Sequence, residues 1–294
     1  MKETIMSNAA KFRTLLAAKK MIVAPGAIDC ITGRAIAHAG FSAAYMTGAG
    51  TSATLGYPDY GLITMSEMVG NASRIVNSID IPLISDSDTG FGNELNVFRT
   101  VQEFERAGVA AIHIEDQVFP KKCGHLDNKE LVSREDFIAK IRAASAARKS
   151  KDFCIIARTD SRAVVGLEEA VERANAALAA GADVAFVEAP QTMAEIEAVP
   201  KRVKGPCLLN IVRGGKTPEI ELETAERMGY AISIVPGLLL GGIIQTCDRL
   251  LGDLKQGKFP PVTGSPGKTF ARFGAAEWDA RRTAFRDPIK VAAE

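Results

Sequence analysis

Short apolar runs alternate with longer amphipathic stretches along almost the whole chain. The runs at 21–24, 43–46, 82–85, 110–114, 153–157, 184–187, 207–209 and 231–234 are β-rich and apolar on both faces. That pattern predicts parallel strands buried under helices, because a sheet with one wet face would alternate apolar and polar positions. Helical periodicity predicts segments such as 30–39, 65–77, 94–107, 134–148, 167–180 and 193–203. Gly108, Gly181 and Gly229 each follow a helical pattern and precede a strand, where a helix commonly ends in a left-handed residue. Eight strands with intervening or following helices predict an α/β fold, a (β/α)8 barrel, which 294 residues accommodate. An open doubly wound sheet is the alternative, disfavoured because no GxGxxG follows the first strand. No linker divides the chain, so one domain over 1–294 is expected, with 260–294 as a C-terminal extension ending in a helix near 275–285.

Charge and cysteine usage narrow the class. Lys plus Arg number 36 against 35 Asp plus Glu, so neither nucleic acid nor an anionic membrane is an expected partner. The first twenty residues are polar and basic without a signal-peptide core, and no apolar run approaches a membrane span of ~20 residues. The five cysteines are odd in number, scattered and without CxxC, which argues against a disulfide framework or a zinc site and for a cytoplasmic location. Cys30, Cys154, Cys207 and Cys247 read as small core residues.

Cys123 is different. It lies in Lys121-Lys122-Cys123-Gly124-His125, shortly after Glu115-Asp116-Gln117. Lysines and a histidine on a Gly-containing segment suit a reactive loop closing over a charged substrate; an exposed basic turn is the plainer reading.

Other unusual polar residues fall where predicted strands end, which is where barrels carry their chemistry. The second strand leads into Tyr45-Met46-Thr47-Gly48-Ala49-Gly50 and the third into Asp86-Ser87-Asp88. The fourth ends at Glu115, the fifth at Arg158-Thr159-Asp160, the sixth at Glu188 and the seventh at Asn210. Carboxylates that converge repel unless a cation sits between them, and an oxygen-only set suits Mg²⁺ or Mn²⁺. Each Asp also has a plain reading, as a helix cap or turn acceptor. Thr47–Gly50 reads as a small-residue loop whose amides hold a carboxylate or phosphoryl oxygen. Arg158 is a bidentate partner for a carboxylate, or a salt-bridge partner of Glu188 or Glu115. Gly214-Gly215-Lys216-Thr217-Pro218 lacks the full phosphate-loop spacing and reads as a mobile loop. His38 sits on a predicted helix as a surface or core residue, and His113 is placed to line the pocket.

Taken together, these motifs resemble the isocitrate lyase/phosphoenolpyruvate mutase superfamily, in order and spacing, over about residues 10–255. Glu-Asp-Gln followed by Lys-Lys-Cys-Gly-His is the most specific of them. The resemblance implies a (β/α)8 barrel, a homotetramer whose C-terminal helix is exchanged between subunits, Mg²⁺, and a small 2-hydroxy or 2-keto carboxylate as substrate. It implies that Asp88 holds the metal directly, with Asp86, Glu115 and Asp59 acting largely through its waters. Tyr45, Thr47, Gly48, Ala49 and Arg158 would cradle a pyruvate-like unit, lined further by Asp86, Gly124, Glu188 and Asn210. Residues 121–125 would be the gating loop, with Cys123 the proton donor and Lys122 and His125 tuning it. Cys123 marks lyase-like members, where phosphonopyruvate mutases carry Asn; carboxyphosphonoenolpyruvate mutases share a Lys-Arg-Cys-Gly-His loop.

One segment departs from the pattern. The methylisocitrate lyases of this superfamily carry an Arg after the eighth strand and another towards the C-terminus, both used on a third carboxylate. Here the first segment reads Pro236-Gly237-Leu238-Leu239-Leu240-Gly241-Gly242, and only Lys268 or Arg272 stand near the second position. A third carboxylate without a partner would be desolvated at a cost of several kcal/mol. A Leu-lined pocket and a smaller or alkyl-substituted acid, dimethylmalate-like or oxaloacetate, are therefore expected. The reading is a carbon–carbon lyase acting on a 2-hydroxy dicarboxylate, with a phosphonate mutase or an oxaloacetate decarboxylase or hydrolase as the alternatives.

Overall fold

The computed structural model describes residues 6–261 and 264–286. The chain begins α1 (Asn8–Ala17), β1 (Ile22–Ala27), α2 (Cys30–His38), β2 (Ala44–Met46), α3 (Gly48–Thr54), α4 (Met65–Val76) and β3 (Leu83–Asp86). It continues α5 (Glu94–Arg106), β4 (Ala111–Glu115), α6 (Arg134–Ala147), β5 (Cys154–Thr159), α7 (Ser161–Val164), α8 (Leu167–Ala179) and β6 (Val184–Val187). Then follow α9 (Met193–Arg202), β7 (Cys207–Asn210), α10 (Leu222–Arg227), β8 (Ile232–Val235) and α11 (Gly237–Lys255). The eight strands form a closed, all-parallel barrel in sequence order, sealed by β1 against β8 with Ile22 opposite Ile232. This is the (β/α)8 architecture that the apolar pattern predicts. Gly108, Gly181 and Gly229 all hold positive φ after their helices, as a left-handed terminus requires.

Alternation along the strands divides the apolar residues between two spaces. Ile22, Ala24, Ile84, Ala111, Ile156, Phe186, Leu208 and Ile232 fill the barrel interior. Residues of the opposite parity, such as Leu83, Ile112 and Ile155, pack outward against the helices.

Helix α1 is absent from the sequence-level prediction. Its fully buried Phe12 joins the interior cluster, and Arg13 donates to the carbonyls of Lys151, Asp152 and Phe153 just before β5. The helix therefore covers the N-terminal end of the barrel, opposite the chemistry. The cysteine expectation also needs adjustment: Cys154 and Cys207 are buried and Cys30 is half-buried, but Cys247, on α11, is exposed.

Gly26 fixes how the chain leaves β8. A Cβ there would lie 2.2 Å from the Pro236 carbonyl oxygen, so the backbone crosses β1 where only glycine fits. The next turn opens α11, with Leu239 against the outer core and Leu238 55% exposed. Helical geometry thus turns Leu239 onto the outer core and Leu238 outward, so neither of these two stands in the expected pocket wall.

The contacts group the chain into two compact units, with the boundary at Gly242 and Ile243 inside α11. The second unit contains the rest of α11, α12 (Pro266–Ala271), capped by Ser265, and α13 (Ala275–Arg286). Helix α13 covers the expected last helix, whereas residues 262, 263 and 287–294 of the expected extension lie outside the described residues. Among the described residues, no helix is long and apolar enough to cross a membrane.

Candidate active site

The interior alternation also builds the site. Two positions beyond an interior apolar residue, each of five strands presents a buried polar one: Asp86 after Ile84, His113 after Ala111, Arg158 after Ile156, Glu188 after Phe186 and Asn210 after Leu208. Glu115 follows His113 on the same face and pairs in register with Arg158 on β5. Carboxylates, a guanidinium and an amide therefore converge at the C-terminal mouth. Asp116 has the other parity and leaves the site: it accepts from Thr159 Oγ1 at 2.6 Å, Asp160 N at 2.8 Å and Arg173 Nη1 at 3.1 Å.

The loop after β3 positions the acidic pair. Asp86 Oδ1 accepts from the Asp88 amide at 2.9 Å, and its Oδ2 accepts from the Gly48 amide at 3.2 Å and faces the Tyr45 hydroxyl at 3.4 Å. A Cβ at Gly48 would sit 2.5 Å from Asp86 Oδ2, which explains the glycine. Residues 47–50 are not the open loop expected from sequence but the first turn of α3, whose N-cap Thr47 accepts from Gly50 N. Buried Tyr45 and His113 meet through the hydroxyl and Nε2 at 2.8 Å, and their rings stack. Burial depresses the His113 pKa to about 4, so the imidazole is neutral and its 3.5 Å approach to Asp86 is not an ion pair.

Lys121 reaches into this cluster. Its buried ammonium lies 2.6 Å from Asp59 Oδ1 and 2.9 Å from Asp88 Oδ1, and so joins Asp59 to the site. Arg158 forms the second charged centre, with Nε 2.9 Å from Asp160 Oδ2 and 3.2 Å from Glu115 Oε2, and Nη2 3.2 Å from Glu188 Oε2. Glu188 also accepts from Asn210 Nδ2 at 3.2 Å, and His125 Nε2 lies 3.3 Å from it.

Residues 121–125 lie over these groups. The Cys123 amide donates to the Asp59 carbonyl at 3.2 Å, and Gly124 packs against Arg158 and Glu188. His125 Nδ1 accepts from the Lys216 amide at 3.0 Å, so the segment at 214–218 turns back onto this loop. Lys122 is held by its backbone, both ways, to the Gln117 side chain. Its ammonium points to the Asn128 carbonyl at 3.4 Å, away from the carboxylates. His38, at the end of α2, is exposed and remote from these residues in the chain. Sequence reasoning missed Lys129, whose buried ammonium holds the same loop from below, because a lysine in a polar loop carries no periodic signal.

The charges show what the site can hold. Burial pushes Asp88 up to about 6 and Glu115 well above the usual carboxylate range, against the pull of Lys121 and Arg158. For Asp86 burial acts in the same direction, but His113, Lys121 and Arg158 outweigh it and hold the carboxyl low. Glu188 is likewise held at about 2, mainly by Arg158 against burial. Burial opposes the Lys121 charge, yet Asp88, Glu115, Asp86 and Asp59 keep it firmly protonated. Both Glu115 oxygens are buried without a hydrogen-bond partner. Oxygen-only donors, with a Glu115 carboxylate held by the Arg158 ion pair alone, fit a hard dication. Among the described residues no group of three or more Asp, Glu, His or Cys side chains is placed to hold a metal ion by itself. Burial raises the Cys123 thiol, so it carries its proton at neutral pH.

Comparison with known proteins follows the same lines. The phosphoenolpyruvate phosphomutase family matches residues 12–252. A 2,3-dimethylmalate lyase of Eubacterium barkeri is 51% identical over 232 residues, 79% of this chain and 80% of the relative. A 2-methylisocitrate lyase of Aeropyrum pernix is 44% identical over 244 residues, 83% of this chain and 79% of the relative. Among solved structures, a 2,3-dimethylmalate lyase superposes with a TM-score of 0.91 at 39% identity, covering 96% of both chains. A phosphonopyruvate hydrolase in complex with oxalate and Mg²⁺ superposes with a TM-score of 0.87 at 30% identity, covering 96% of this chain and all of that one.

Proposed function

This chain belongs to the phosphoenolpyruvate mutase/isocitrate lyase superfamily, and from that premise we propose that it is a metal-dependent lyase for a 2-hydroxy dicarboxylate of dimethylmalate type. It is an enzyme, a carbon–carbon lyase of this superfamily. The observation that carries the finer reading is the meeting of Asp86, Asp88, Glu115 and Arg158 beneath a loop whose half-buried thiol is protonated.

Asp88 would hold Mg²⁺ or Mn²⁺ directly, with Asp86, Glu115 and Asp59 acting on its waters. The bound ion would supply Lewis-acid polarisation of the substrate's 2-oxygen. Arg158 would bind the adjoining carboxylate, and Tyr45 and the first turn of α3 (Thr47, Gly48, Ala49) shape the space around the keto-acid unit. Glu188 and Asn210 fix the guanidinium and the far wall. When the C2–C3 bond breaks, the 2-hydroxyl gives its proton to a carboxylate of the Asp86, Asp88 and Glu115 cluster and becomes the carbonyl of pyruvate or a related 2-keto acid. The bonding electrons pass to the second carboxylate fragment as an enolate, whose carbon takes the proton from Cys123 Sγ. His125, turned by the Lys216 amide, faces the same space, and the closed loop excludes water.

The first turn of α11 offers no cation, and a third carboxylate there would stay unpaired. This favours a substrate with two carboxylates over methylisocitrate. Family resemblance also supports a homotetramer as the working form.

The test is a screen for Mg²⁺-dependent keto-acid release from 2,3-dimethylmalate, other malates, methylisocitrate and oxaloacetate. Dimethylmalate is expected to be cleaved fastest; faster cleavage of methylisocitrate would overturn the assignment of the α11 segment. The same carboxylate cluster also suits a phosphonate mutase, and phosphorus NMR on candidate phosphonates would reveal that activity.

A further inference from the structure

Lys129 is buried at the far root of the loop that carries Cys123. The root itself is fixed: Val118 N donates to Glu130 O at 2.8 Å, Val132 N donates to Asp116 O at 2.9 Å, and Gln117 bridges Leu131. From this anchored position the ammonium turns back under the loop. It donates to the carbonyls of Gly124 and, at 3.1 Å, of Leu126, and lies 3.8 Å from Asp160 Oδ1. Asp160 at the same time chelates Arg158 through Nε at 2.9 Å and Nη2 at 3.2 Å. One carboxylate thus faces both the guanidinium under the loop and the ammonium that grips the loop. A buried lysine with this partner set is costly to desolvate and contributes chiefly by fixing one arrangement.

We propose that Lys129 is a positioning residue: by gripping the carbonyls of Gly124 and Leu126 it seats Gly124 on Arg158 and Glu188 and so sets Cys123 over the carboxylate cluster. The two peptide carbonyls it uses lie on either side of His125, directly after Cys123, so losing the ammonium releases that stretch as a unit. Gln117 ties Lys122 at the near side of the loop, and Cys123 N to Asp59 O and Lys216 N to His125 Nδ1 tie it to neighbouring loops, whereas Lys129 holds the far side from the root. The consequence for catalysis rests on the role given to Cys123 above; the grip on the loop does not.

The test measures the loop without a substrate. Iodoacetamide labelling of Cys123 is followed by peptide mass spectrometry in the wild type, Lys129→Met and Lys129→Arg, with exposed Cys247 as the internal reference. Lys129→Met is expected to label at Cys123 about tenfold faster, since two charge-assisted hydrogen bonds are lost, while Cys247 keeps its rate. Lys129→Arg should return labelling towards the wild-type rate. A Cys123 rate within about twofold of wild type in a folded Lys129→Met protein would overturn the proposal. If Lys129→Met and Lys129→Gln both fail to fold, Lys129 is a folding residue and the proposal is equally overturned. With a substrate from the screen, Lys129→Met should lower kcat more than it raises KM. Failure of the wild type to release any keto acid would sink the lyase reading and leave the labelling result intact.

Discussion

A Cβ on Gly124 would stand 2.5 Å from Nη2 of Arg158, so the loop bearing Cys123 closes on the guanidinium with no space for a methyl group. Gly124→Ala must therefore lift the loop, at an overpacking cost of about 1–3 kcal/mol. Turnover should fall about tenfold to a hundredfold at that cost. The melting temperature should fall only by what that cost implies, about 2–4 °C per kcal/mol, because the barrel core is untouched. Steady-state kinetics and a thermal melt of the same preparation check both statements, and a fully active Gly124→Ala would show that the loop need not close on Arg158.

Cys123→Ser removes the proposed proton donor while keeping its size. Keto-acid release is expected to drop by about 10²- to 10⁴-fold, the usual range for general acid–base groups. Mg²⁺-dependent pyruvate binding, read by calorimetry, should be retained. Because burial raises the thiol, the alkylation rate of wild-type Cys123 should rise with pH through a midpoint above the ordinary value of ~8.5. A midpoint at or below that value would contradict a protonated donor.

Metal binding and pH should be linked. Asp88 has its folded pKa raised to about 6, above an unfolded value of ~3.9. The metal-free protein therefore binds a proton more tightly when folded, and this contribution to stability is lost as pH rises from about 4 through 6. Mg²⁺ takes the deprotonated carboxylates, so its stabilisation should grow over the same interval. Thermal melts with Mg²⁺ at about 100 times its dissociation constant should show a gain of about 2.7 kcal/mol at pH 7.5 and a clearly smaller one at pH 5. Equal gains at both values would remove the carboxylates from the metal's ligand set.

Asp116 should act on stability rather than on specificity. Its carboxylate holds Thr159, the Asp160 amide and buried Arg173, outside the mouth. Asp116→Ala leaves Arg173 without that partner and is expected to cost about 3–5 kcal/mol. A denaturant melt reads this directly, and the ranking of substrates should be unchanged.

The C-terminal unit leaves Phe270, Trp278 and Phe285 exposed, an apolar set unusual for a free surface. In line with the proposed tetramer, light scattering should give four chains for the wild type, and Trp278→Glu should shift the population towards smaller species.

The apolar runs and glycine stops determined the barrel, its strand order and the strand ends at which Asp86, Glu115, Arg158, Glu188 and Asn210 stand. This works because burial on both faces and alternation are local properties, written residue by residue. The same alternation separates Glu115 from Asp116, although nothing in their chemistry distinguishes them. Tertiary structure decided what spacing does not encode. It brought Lys121 between Asp59 and Asp88, 62 and 33 positions away in the sequence. It also turned Lys122 aside, placed Lys129 beneath the loop, and made a helix turn of Thr47–Gly50. Long flexible side chains choose their partners by where electrostatic and desolvation terms balance in three dimensions, and that balance exists only once the barrel has closed.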